Sequence, residues 1–163
     1  MSSGMLSVLV SNHFGVLTRV TNLFSRRGFN IKALTVGETE NPSLSRISIL
    51  TEGDGPMIDQ IQKQLAKLED VKRSVEIEES RLISRELLLL KTRCEESGYA
   101  GLLDKITPFG GRIIALSESS AIVEMTGRTE AVNEFIEYMR GEGIMEMCRT
   151  GGAALELGEK TLY

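Results

Sequence analysis

Asn12 and Gly15 stand in the stretch SNHFGVLTRV, residues 11–20, where an alternating apolar run, LSVLV, gives way to apolar residues at a different spacing. A glycine at the entrance to a helix has no Cβ, so a ligand group can come close to main-chain amides there. Those first amides lack intrahelical partners, and the helix dipole favours negative charge beside them. Asn12 adds a donor and an acceptor, which suits the ammonium or the carboxylate of an amino acid. Asn30 is a second amide, placed just before the next strand. These residues describe half-sites for a small zwitterion. They are equally ordinary turn and cap chemistry, and Asn30 after RRGF can be a helix-exit residue, so spacing alone leaves both readings open.

Reactive chemistry finds little support. His13 is the single histidine and is expected to face solvent. Cys94 and Cys148 are too few for a disulfide framework and are expected to be buried free thiols of a reducing cytosol. With no Cys-x-x-Cys pair a zinc site is not expected, and no nucleophile–base pair stands out. The net charge is −4, and residues 1–80 carry nine basic and ten acidic side chains against ten and thirteen in 81–163. Neither half has the basic footprint of nucleic-acid binding. No apolar stretch approaches the ~20 residues of a membrane helix, and the start MSSGM lacks the charged and apolar regions of a signal peptide. The expectation is a soluble cytoplasmic protein.

The elements that must position these residues follow from periodicity. Leu6, Val8 and Val10 alternate, predicting a strand with one buried face. Val16, Leu17, Val20, Leu23 and Phe24 form a helical stripe that stops at Gly28 after Arg26 and Arg27. Strands from Ile31 and from Leu44 meet at a turn through Asn41-Pro42-Ser43. Pro56 opens a helix carrying Ile58, Ile61, Leu65 and Leu68, and VKRSVEIEE closes the unit as a strand. The second half repeats the order: ELLLLK, a helix through Tyr99, Leu102, Leu103 and Ile106 up to Pro108, a GRIIAL/AIVEMTG hairpin, a helix through Val132, Phe135, Ile136 and Met139, and IMEMCR. The charged EESRLISRE marks a boundary near Ser80.

The fold class is therefore α+β, with two ferredoxin-like βαββαβ units whose antiparallel sheets carry helices on one face. A unit of ~80 residues has a marginal core. Leu9 and Leu50 are expected on the face away from the helices, and the edge strand from Ile31 has only Lys32 as an early guard. Edge-to-edge dimerisation would cover these weaknesses.

The stretch LSVLVSNHFGVLTRVTNLFSRRGFNIKALTVGETENPSLSRISI resembles the N-terminal ACT domain of the small regulatory subunits of acetolactate synthase, also called acetohydroxyacid synthase. GVLxRVxxLFSRRGFNI, LTV and PSLSRISI are the specific parts, and the likeness continues through QIQKQLAKLEDVKRSVEI and, more weakly, from GYAGLLDKITPFGGRI to CRTGG. It implies an ACT domain at 5–79, for effector binding and dimerisation, and a C-terminal ferredoxin-like domain at 80–163.

The resemblance further implies a non-catalytic chain that activates a large thiamine-diphosphate enzyme of branched-chain amino-acid biosynthesis and makes it sensitive to feedback inhibition, usually by valine. Thiamine diphosphate, Mg and FAD would belong to the catalytic partner, with no cofactor or metal in this chain. The effector would lie between two ACT domains, with Asn12, Gly15, Val16 and Leu17 from one copy and Asn30 and Ile31 from the other. His13 and Phe14 occupy loop positions with no implied role. An amino-acid-sensing ACT protein with another client, such as a transcription regulator, is the alternative. Acylphosphatases share the topology, but their phosphate loop and its arginine are not visible here. RNA-binding sheets of this topology want aromatics that LSVLV and SRISIL lack.

Overall fold

The computed structural model describes residues 3–94 and 98–163. Of the MSSGM start, Met1 and Ser2 lie outside the described residues. The chain divides into two compact units, one of residues up to 83 together with Gly151–Tyr163, the other Ser84–Thr150.

The first unit runs β1 (Ser3–Ser11), α1 (Val16–Arg27), β2 (Ile31–Glu38), β3 (Leu44–Glu52), α2 (Gly55–Leu65) and β4 (Val71–Ile77). Its antiparallel sheet has the order β2-β3-β1-β4, so β1 is central and β2 and β4 are edges. Helix α1 buries Val16, Val20 and Phe24 at four-residue spacing. It closes at Gly28, whose left-handed φ of 70° lets Phe29 N–H donate to Phe24 O at 3.0 Å, with Arg26 and Arg27 at the negative end of the dipole. Helix α2 starts where the Asp54 carboxylate accepts from Met57 N–H at 3.1 Å and Pro56 needs no partner. Its Ile58, Ile61 and Leu65 pack with α1 onto Leu6, Val8, Val10, Ile47 and Ile49.

The alternation of β1 predicts one buried face, yet Met5 and Leu9 are buried too. Two things cause this: β1 is flanked on both sides, and the face away from the helices is occupied. Met5, Ile77 and Ala154 form a small cluster there, with Leu50 and Leu82 against it. Ala154 comes from β9 (Ala153–Glu156), and Leu157 N–H donates to Arg81 O at 2.8 Å while Arg81 pairs with Glu156. Of the 80–163 range expected for the second domain, residues 151–163 cluster with the first unit, where Ala154 packs beside Met5 and Ile77.

The second unit holds β5 (Leu82–Arg93) from Ser84 onward, α3 (Gly98–Ile106), β6 (Arg112–Leu116), β7 (Ser120–Gly127), α4 (Thr129–Met139) and β8 (Ile144–Arg149), with sheet order β6-β7-β5-β8. The segment EESRLISRE is not a plain linker, since β5 already begins at Leu82, which packs against the Met5–Ile77 cluster. Leu88, Leu90, Val123, Phe135 and Met139 centre the core. Glu86 is buried but bonded to Arg149 and to the Thr129 hydroxyl, and Arg149 also donates to Asn133 Oδ1 at 2.9 Å. The cysteines are free but not buried as expected: Cys94 is half-buried and Cys148 exposed, because Cys148 sits on an outer strand of the sheet. No helix among the described residues is long and apolar enough to cross a membrane.

Candidate functional site

The loop between β1 and α1 is a held structure. Asn12 N–H donates to Ser43 O at 2.7 Å, and its side-chain Nδ2 donates to Pro42 O at 2.9 Å and to Glu38 Oε1 at 3.0 Å. Both amide hydrogens of Asn12 are therefore engaged with the β2–β3 turn. Its carbonyl Oδ1 is an acceptor suited to an ammonium group, and the residue is exposed.

Gly15 occupies the N-cap of α1 with φ 87° and ψ −9°, and no side chain caps the helix. Val16 N–H reaches His13 O only at 3.5 Å, a long contact. The first-turn amides are thus free to meet a carboxylate. A Cβ on Gly15 would lie 3.7 Å from Arg19 Nη1, so the chain leaves room beside it, and the glycine is required by its left-handed backbone. Val16 is buried in the core, whereas Leu17 is 40% exposed and can offer an apolar side to a ligand.

His13 is exposed, as the sequence reading expects, and it is also held by an ion pair. Its Nε2 lies 2.8 Å from Asp70 Oδ1, and Arg19 Nε donates to Asp70 Oδ2 at 2.7 Å. Burial of the Asp70 carboxyl acts to raise its pKa, but the hydrogen bonds and charges of Arg19 and His13 together hold it below the usual value. This ion cluster ties the loop to the residue before β4. Nothing local in the sequence signals a pairing across 57 positions. Phe14, at the loop tip, is fully exposed.

Asn30 and Ile31 lie elsewhere. Asn30 O accepts from the buried Thr51 hydroxyl at 2.7 Å, and its Nδ2 donates to Glu52 Oε2 at 3.3 Å. Glu52 also pairs with Lys32 at 3.1 Å, so the expected edge guard is half neutralised; the Lys32 and then the Asn30 hydrogen bonds hold the Glu52 carboxyl below its ordinary range. Ile31 packs against the first core. The Asn12 loop joins the far end of β2 at Glu38, so within one copy the two half-sites stand at opposite ends of that strand. Seven strand steps at ~3.3 Å put them roughly 23 Å apart. One copy brings Asn12, Gly15, Val16 and Leu17 together and leaves Asn30 and Ile31 out. No group of three His, Cys, Asp or Glu side chains among the described residues could hold a metal.

Comparison with known proteins matches residues 6–73 to the family described as AHAS small subunit-like ACT domain, and residues 85–158 to the family described as small subunit of acetolactate synthase. The chain is 43% identical over 155 residues to a probable acetolactate synthase small subunit of Archaeoglobus fulgidus, covering 95% of this chain and 97% of that one. It is 38% identical to the isozyme 3 small subunit of Escherichia coli, covering 97% and 98%. Its fold superposes on the crystal structure of the acetolactate synthase small subunit from Thermotoga maritima with a TM-score of 0.91, at 38% identity and covering 98% and 100% of the two chains.

Proposed function

Since the chain belongs to the family of acetolactate synthase small subunits, we propose that it binds the catalytic large subunit, raises its activity, and imposes feedback inhibition when a branched-chain amino acid such as valine occupies the ACT site. The observation that carries this reading is the split site. An uncapped helix start beside the Asn12 acceptor lies at one end of β2, and Asn30 lies at the other.

Among the described residues, no strand pairs with the outer edge of β2. A second copy pairing antiparallel along that edge, about a two-fold near Leu34 and Thr35, sets the start of one β2 against the end of the other. Asn30 and Ile31 of one copy then face Asn12 and Gly15 of its partner. The ligand carboxylate meets the α1 amides, its ammonium meets Asn12 Oδ1, and Leu17 and Ile31 flank its aliphatic group. Because the site needs two chains, binding is linked to subunit geometry. The effector shifts the catalytic partner by the difference in its affinity for two dimer arrangements.

Valine has about eight heavy atoms, and with at most ~1.5 kcal/mol from each, micromolar to millimolar affinity is the expected range. Branched-chain amino acids differing by one methylene separate by only ~1–3 kcal/mol. Thiamine diphosphate, Mg and FAD are assigned to the large subunit and none to this chain.

The test is co-purification with the large subunit, then turnover with and without valine, leucine and isoleucine. Chain that neither binds the large subunit nor changes its turnover overturns the regulatory role. Full valine inhibition retained by Asn12→Ala, Gly15→Asp and Asn30→Ala overturns the site while leaving the role.

A further inference from the structure

The first sheet turns its second face away from α1 and α2, and the middle of that face is polar. Thr35 of β2 stands opposite Ser48 of β3, and Ser48 stands opposite Ser7 of β1, so three hydroxyl residues form one row across the strands. On one side of the row lie Leu50 and Met5, of the cluster with Ile77 and Ala154. On the other side Arg46 stands between Gly37 and Leu9. Ser7 is fully buried and Ser48 nearly so. Among the described residues, the Ser7 and Thr35 hydroxyls and Arg46 Nε are shut off from solvent without a hydrogen-bond partner. Native folds leave few such groups, and here three share one face.

Residues 151–163 lie against this face. Gly151 rests on β2, where a Cβ would come 2.7 Å from Thr35 Oγ1 and 3.0 Å from main-chain atoms of Leu34. Ala154 packs beside Met5, two positions from Ser7 on β1. The segment has little to hold it there. Ala154 and Leu162 are its buried apolar side chains, whereas Leu155 and Leu157 are more than half exposed. Its polar anchors are Arg81, which pairs with Glu156 and donates to Leu157 O at 2.7 Å, and Arg73, whose Nη1 donates to the main-chain oxygen of Tyr163 at 3.0 Å. Two buried side chains, one of them a methyl group, stand against the entropy of fixing thirteen residues. Seating the segment also denies water to the orphaned hydroxyls, a cost that release removes. A segment so balanced opens as a unit ahead of the rest of the fold.

We propose that residues 151–163 form a releasable strap, which lifts from the first sheet while that sheet and its helices stay folded. Release takes Gly151 off Thr35 and Ala154 off Met5 and lets water reach the hydroxyl row between them. The open form presents Met5, Leu50 and Ile77 beside three hydroxyls and the Arg46 guanidinium. The chain then has two forms, and a partner that touches this face reads only the open one. None of these residues belongs to the effector site, so the strap stands apart from that reading.

The test is amide hydrogen exchange in full-length chain. In the wild type, residues 152–163 should exchange at least about tenfold faster than β1 and β3. Exchange as slow as in those strands overturns the strap. Ser7→Ala and Thr35→Val each delete an orphaned hydroxyl and should seat the strap more firmly, slowing exchange at 152–157 at least about fivefold. If neither variant slows it, the hydroxyls are satisfied in the closed form and the proposal falls. Gly151→Ala should do the reverse, because its Cβ would meet main-chain atoms of Leu34 that cannot swing aside. Residues 152–163 should then exchange at least about tenfold faster, while α1, α2 and the second unit keep wild-type rates. Unchanged rates at 152–163 overturn the seating on β2. Rates that rise through α1 and α2 as well show strap and sheet opening as one body, which also overturns the proposal.

Discussion

His13 Nε2 and Asp70 Oδ1 lie 2.8 Å apart, and the second carboxylate oxygen of Asp70 takes Arg19 Nε at 2.7 Å. One carboxylate thereby holds a loop residue and a residue of α1 against the sheet. Because the Asp70 carboxyl is held below its usual value, its contribution to stability is complete above the unfolded-state value of ~3.9 and disappears as pH falls through the folded-state value. Thermal melts of wild type and Asp70→Asn should therefore differ at pH 6 and converge toward pH 3. A difference that persists undiminished at the lowest pH would mean the carboxylate charge is not what braces the loop.

Gly15→Ala separates backbone strain from ligand contact. A left-handed conformation costs about 1–2 kcal/mol for a residue with a Cβ, and the stiffer unfolded chain offsets ~0.4–1 kcal/mol of it. Space beside Gly15 is adequate, so no clash adds to this. Urea unfolding should show a net loss of about 1 kcal/mol. Valine affinity should fall by more than that loss implies, since the methyl group screens the α1 amides. Equal affinity in the variant would move the carboxylate site elsewhere.

In the second unit, Glu86 is 3% exposed and relies on Arg149. Arg149→Met should cost about 3–5 kcal/mol by stranding a buried carboxylate, whereas Glu86→Leu combined with Arg149→Met should be close to neutral. Chemical denaturation of the single and double variants checks this. A double variant as unstable as the single one would show that the pair also carries packing the apolar residues cannot replace.

Glu76 gives the opposite pH sign. Burial, and then the neighbouring Asp59 and Glu78 carboxylates, hold its pKa above the ordinary value. The ionised wild-type residue therefore weakens the fold as pH rises through that value. Glu76→Gln should be the more stable protein at pH 7, by no more than about 0.5 kcal/mol given its solvent exposure. The advantage should be gone at pH 4, as read from urea midpoints at the two pH values.

The helical stripes of Val16, Val20 and Phe24 and of Ile58, Ile61 and Leu65 were legible because each repeats on a single face that one sheet buries. The turn at Asn41-Pro42-Ser43 and the stop at Gly28 were legible for a different reason: left-handed and capping positions restrict residue type. Contacts made by the chain at long range left no such trace. Asp70 beside His13, Arg73 beside the main-chain oxygen of Tyr163 and Ala154 beside Met5 each join residues with no shared period. The same holds for the site. Asn12 and Gly15 announce a loop that can receive a ligand, but nothing in their spacing says that both Asn12 amide hydrogens are engaged with the turn.

Residues 151–163 also set an order of events during synthesis. A ribosome delivers the strands of the first unit well before the segment that lies over Met5 and Ile77. At 5–20 residues per second the intervening stretch takes roughly 3 to 13 s to emerge, and for that time the apolar side of the sheet stands bare on a nascent chain. A chaperone, or an early encounter with a second nascent copy, has its opportunity in that interval, and a fragment stopped at Ser80 would remain in it indefinitely.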